Sequence, residues 1–293
     1  MPATATKQRA SEGPWRSELL AVVRAASGGL LFGVPLLYTM EVWWTGTHST
    51  PRQMLVVLVL LSIPVFALNR TTGFRKQRDV HAADAAADTI EALAVGVAVT
   101  ALVLVLLQEI TLDTSVGAAL GKVVYESVPF CIGIGVARHF LHAGRTDPDD
   151  GGGSSGSDGN DSTLNPTLAD LSASAVGATF ISLSIAPTDE VPMIAGAMSP
   201  AWLLALIAMS LATSYAIVFA AGFHGQGTRH TQEGAFQRPI TETVVSYLVS
   251  LTVAGLLLWL FQREVDPPSD LLSRMVVLGF PAAVGGAAGR LAI

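Results

Sequence analysis

Carboxylates recur in this chain at places where a membrane span tolerates few. Glu41 lies two residues after Thr39, and Asp189 and Glu190 follow Thr188, in two segments that match at a constant offset of 149 positions. A charged side chain near a bilayer centre costs about 2.5–3.5 kcal/mol on insertion scales, so each needs a physical reason. Facing each other across an axis between the two segments, Glu41 and Glu190 would bind a cation. Asp189 would help, and the hydroxyls of Thr39 and Thr188 would add oxygen ligands. Pro187 and Pro192 bracket the two acids of the second segment; proline lacks a backbone donor and so frees carbonyls for coordination, or bends the helix. A plainer reading makes both glutamates interfacial residues that stop a helix.

A second acidic group, Asp84, Asp88 and Glu91, follows helical spacing and shares one face. With Glu242 it would form an acidic inner mouth, although acids in a first helical turn also suit the macrodipole. Lys122 and Glu126 are one turn apart and can neutralise each other. Arg274 occupies the place of Lys122 in the later segment and can reach across to Glu41, Asp189 or Glu190. Arg138 and Arg290 end their helices, where snorkelling to the inner headgroups accounts for them. His81, His139, His142, His224 and His230 fit no strong metal-ligand spacing. No phosphate loop, nucleophile elbow, hydrolase carboxylate pair or zinc-protease helix is present, so an enzyme and a cofactor are not expected. The spacings call for no resident metal.

The elements that must carry these residues follow from composition. Of 293 residues, 51% are apolar and only 14% charged, and the mean hydropathy is +0.51. This is the composition of a membrane protein. Apolar stretches long enough for a core of about 30 Å occur at roughly 25–45, 52–69, 87–108, 116–141, 167–187, 200–221, 241–261 and 270–292. None alternates as a barrel strand does, so the expected fold class is an all-α membrane protein with eight transmembrane helices. Cys131 has no partner in the chain, which excludes an internal disulfide. The net charge of −6 gathers in one stretch and argues for no nucleic-acid partner.

The matching extends past the acids. Gly28, Val42, Pro51 and Leu55 face Gly177, Val191, Pro200 and Leu204. Farther on, Asp88-Thr89 faces Glu242-Thr243, Gln108 faces Gln262, and Pro129, Gly133 and Arg138 face Pro281, Gly285 and Arg290. The expected organisation is a cytoplasmic tail at 1–24, a four-helix repeat at 25–143, a flexible acidic Gly/Ser linker at 144–165 and a second repeat at 166–293. An even number of spans in each half makes the repeats parallel. Lys and Arg gather on one side, which places both termini in the cytoplasm and puts Trp43, Trp44 and Trp259 near the outer interface.

The segments Gly28-Gly-Leu-Leu-Phe-Gly-Val-Pro-Leu-Leu-Tyr-Thr-Met-Glu-Val-Trp-Trp44 and Ile185-Ala-Pro-Thr-Asp-Glu-Val-Pro-Met-Ile-Ala195 resemble an uncharacterised, internally duplicated bacterial family of integral membrane proteins. The resemblance implies a bacterial inner membrane and brings no activity or site residues with it. From the residues themselves, the expected function is conduction or transport of a small cation, H+ included, at the junction of the repeats. The alternative is a non-transporting scaffold, sensor or accessory subunit whose charges hold helices together. The bilayer is the expected partner, and oligomeric state is left open.

Overall fold

A computed structural model describes residues 14–70, 82–143, 166–220, 238–263 and 267–291. The linker at 144–165 and His81, His224 and His230 lie outside the described residues, as do the side chains of His139, His142 and Arg138. All described regular structure is helical: α1 (Pro14–Leu37), α2 (Met40–His48), α3 (Pro51–Arg70), α4 (Ala82–Leu106), α5 (Val116–Ala143), α6 (Pro166–Ile185), α7 (Glu190–Ala197), α8 (Pro200–Tyr215), α9 (Pro239–Leu260) and α10 (Pro268–Leu291). A π-helical turn, Ala216–Ala220, continues α8. Pro14, Pro51, Pro166, Pro200, Pro239 and Pro268 each open a helix, where the missing N–H is one the helix would leave unpaired anyway.

Seven of these helices are long and apolar enough to cross a membrane, and an eighth span results if α6 and α7 count as one. The pair is bent by 93°. Pro187 causes the break, since it disfavours helical geometry at Ala186 and cannot donate itself. The first span also differs from the expected 25–45. Helix α1 begins at Pro14, inside the expected tail, and ends at Leu37; Thr39 is extended, with φ −132° and ψ 98°, and α2 starts afresh. Trp43 belongs to the core rather than to an aromatic belt: it is 2% exposed and its Nε1–H donates to the Leu37 carbonyl at 2.9 Å, closing the end of α1. Trp44 and Trp259 remain exposed.

Each half therefore runs long, short, long, long, long. The last helix is the hub in both: α5 packs on α1, α2, α3 and α4, and α10 packs on α6, α7, α8 and α9. Glycines set the closest crossings. On α5, a β-carbon at Gly133 would stand 2.7 Å from the Gly28 carbonyl oxygen of α1; on α10, one at Gly285 would overlap the Gly177 carbonyl of α6. Such backbone proximity is how membrane helices gain packing without a hydrophobic driving force between them. The larger of two apolar clusters joins the halves, with Leu37, Leu104, Phe130, Ile194, Leu206, Val277 and Phe280 all shut off from the surface.

Candidate functional site

The interrupted end of α1 meets the second half of the molecule at Tyr38–Met40, and two buried polar side chains, Tyr38 and Glu190, act there. Proline positions dictate part of it. Pro281 lacks the N–H that would bond the Val277 carbonyl four residues earlier, leaving that acceptor open inside α10. The Tyr38 hydroxyl fills it, donating to the Val277 oxygen at 2.8 Å from the other half of the chain. An unpaired buried acceptor is costly, so Tyr38→Phe is expected to destabilise the protein by about 1–3 kcal/mol in thermal unfolding in detergent. The loss should shrink in a Pro281→Ala background, where a restored N–H serves Val277; equal losses in both backgrounds would show that the hydroxyl acts elsewhere.

Glu190 approaches the same junction from α7. It is 8% exposed, and its Oε1 accepts the Met40 N–H at 3.3 Å, one of the unpaired donors in the first turn of α2. A carboxylate at a helix N-terminus also lies in the favourable end of its dipole. Glu41, in the same turn, is exposed. The expected face-to-face pair of glutamates is thus replaced by one buried acid resting on the backbone of the helix that bears the other. The reason is the break itself: starting α2 at Met40 turns Glu41 outward while leaving the Met40 amide unpaired. Thr39 and Thr188 play matching parts, each donating its hydroxyl at 2.8 Å to the carbonyl three residues back, Leu36 or Ile185. Their remaining lone pairs stay available as acceptors.

The other charges are engaged, mostly with partners the spacing did not reveal. Lys122 turns away from Glu126 and donates to Glu109, at 2.9 Å to Oε2 and 2.8 Å to its backbone carbonyl. Arg274 does not pair with Glu41, Asp189 or Glu190; its Nη1 donates to the Arg263 carbonyl at 2.9 Å. Asp189 instead takes Arg263, at 2.7 Å, and the same guanidinium reaches the Pro187 carbonyl. A shared local geometry explains the exchange. Gln108 and Gln262 end α4 and α9 with φ of 61° and 57°, and the next residues, Glu109 and Arg263, donate back to Leu104 and Leu258 at 2.9 and 2.8 Å. This is a Schellman-type helix end. It swings the carbonyls of Glu109 and Arg263 toward the following helix, where Lys122 and Arg274 cap them. The matched Gln108 and Gln262 are the sequence signal for these ends, although glycine is the usual residue at such a site and glutamine does not by itself mark a left-handed turn.

At the opposite end, Arg290 is 1% exposed and does not snorkel. It forms an ion pair with Glu242 and lies 5.6 Å over the Phe219 ring in the π turn of α8. Glu242 is accordingly part of an internal lock rather than an open mouth. Asp84, Asp88 and Glu91 are exposed on α4.

Among the described residues, Glu126 is the remaining buried charge-bearing side chain. It is 1% exposed, and its Oε1 has no hydrogen-bond partner. Phe130 and Ala137 on its helix press against Gly33 and Gly28 of α1. Glu126 is one turn before Phe130 on that stripe, at the level where α1 ends. Among the described residues no group of three His, Cys, Asp or Glu side chains gathers as a metal ion would require.

The chain matches no curated protein and no solved structure. Over residues 21–293 it matches a family model, and the protein therefore belongs to the family described as "Putative integral membrane protein (DUF2391)".

Proposed function

We propose that this multi-pass membrane protein moves a small cation, the proton foremost, through a bacterial inner membrane along the seam where the α1–α2 break meets α7. One observation carries this reading: Glu190 is a buried acid at the contact between the two halves, set beside an interrupted helix. Broken helices beside buried acids are a common way for membrane carriers to expose backbone groups and carboxylates to an ion. In this reading Glu190 is the principal ligand, Thr39 and Thr188 supply oxygen acceptors, and Glu41 with Asp189 forms the outer approach. Asp88 and Glu91 attract cations at the inner surface.

The two halves are, in the same proposal, copies of one unit related by an axis along the membrane normal, with both termini cytoplasmic. Matching helix order, the Gly28–Gly133 and Gly177–Gly285 crossings, and the shared caps by Lys122 and Arg274 support it. Alternating access would then be a rocking of one hub about the other.

Reconstituted into liposomes with an imposed pH or cation gradient, the intact protein is expected to dissipate the gradient. Glu190→Gln should slow it at least about tenfold, the effect of about 1.4 kcal/mol on a barrier, while Glu41→Gln should have a smaller effect. No flux above protein-free liposomes, or full flux in Glu190→Gln, ends the proposal. A specific observation favours a second reading, that of a non-transporting scaffold: Asp189, Lys122, Arg274 and Glu242 are all held in structural contacts. Absent flux with a native, stable protein is its signature.

A further inference from the structure

We propose that Glu126 is a proton-binding site within the membrane, which deepens the transport reading by naming H+ as the species bound. Three independent features converge on it. First, the side chain is buried and its Oε1 is unpartnered, although an ionised carboxylate carries several acceptor sites that need donors. A protonated carboxyl needs fewer, and it is the form an apolar enclosure accepts. Second, the cation that the sequence offers for neutralisation, Lys122, is occupied by Glu109. Third, the fold has no need of an acid at this point: Leu278 stands three residues before Pro281, as Glu126 stands three before Pro129, and Leu278 is fully buried in the matching hub helix. The matching hub helix fills this place with an apolar side chain, so burial at this level of the helix does not itself call for an acid.

The surroundings are consistent with a proton rather than a metal cation. On α1 the titratable group at this depth is Tyr38, whose hydroxyl is committed to Val277. On α2, Glu41 and His48 are exposed; on α3, Arg52 is exposed; on α4, Asp84, Asp88 and Glu91 lie at the far end. Glu109, in the turn before α5, is held by Lys122 at 2.9 Å. Among the described residues no three His, Cys, Asp or Glu side chains gather as a metal ion would require, whereas one carboxyl suffices for one proton.

Infrared difference spectroscopy of the full-length protein in lipid, wild type minus Glu126→Gln, tests this directly. At neutral pH the difference is expected to contain the carbonyl stretch of a protonated carboxylic acid, displaced in D2O. Only carboxylate stretches in that difference would overturn the site. Should Glu126→Gln fail to fold, Glu126→Leu, copying Leu278, serves as the reference. Dicyclohexylcarbodiimide, which adds to protonated carboxyls in apolar surroundings, should modify Glu126 at neutral pH, with adduct yield falling as pH rises; a yield indifferent to pH would count against the site. These readouts do not depend on flux. A protonated-acid band without flux leaves the site standing and removes transport, whereas flux without the band does the reverse.

Discussion

Removing the carboxylate of Glu242 while keeping its shape, as Glu242→Gln, is expected to destabilise the protein by about 3–5 kcal/mol. The magnitude follows from what remains behind. Arg290 is 1% exposed near the C-terminal end of α10, so without its partner a guanidinium charge stays enclosed by protein. The Phe219 ring offsets part of the loss, since a cation over an aromatic face gains on the order of 1–2 kcal/mol when desolvated. Converting both residues together to methionine should recover most of the stability, because replacing a buried pair with apolar side chains is often neutral or favourable. Chemical unfolding in detergent, run as a double-mutant cycle, measures this. A single mutant no worse than the double would mean that the pair is solvated and that Arg290 reaches the headgroups after all. Flux in the double mutant separates a lock from a gate, since a purely structural pair can be replaced without loss of transport.

Substituting alanine for Gly177 or Gly285 is expected to cost about 3 kcal/mol or more, at the upper end of what overpacking costs. Both added methyl groups would meet backbone carbonyls of the facing helix, and backbone cannot step aside as a side-chain tip can. Gly289 adds a third contact of this kind, against Ala173. The helices α6 and α10 would have to separate along their whole crossing, loosening the hub around which α7, α8 and α9 pack. Gly117 and Gly196 are the internal controls: nothing lies within 4 Å of a β-carbon at either, so Ala there should leave stability unchanged or raise it by up to about 1 kcal/mol. If Gly177→Ala unfolds at the same temperature as Gly196→Ala, the close crossing does not exist in the folded protein.

The class of this protein was legible from composition alone. Long apolar stretches without alternation leave helices as the spanning choice, and the described structure has 7–8 of them with boundaries mostly within a few residues of those expected. Proline punctuation marked most helix starts, because its missing N–H is harmless there. The matched glycines pointed to the tightest crossings, since a residue without a β-carbon is needed wherever two backbones touch.

Which acid turns inward was decided only by the tertiary structure. Local sequence treats Glu41 and Glu190 alike, but the break at Thr39 rotates α2 so that one is exposed while the other reaches the Met40 amide across the halves. The partners of Lys122, Arg274 and Asp189 were hidden for a related reason: they depend on left-handed turns at Gln108 and Gln262, where the carbonyl direction is set by two dihedral angles. Arg290 was read as a surface residue because it ends a helix. Its burial arises from α8, whose π turn brings Phe219 over it from a distant part of the chain. Spacing along one helix fixes which side chains share a face; where that face points, and which charge meets it, belongs to the packing of helices far apart in sequence.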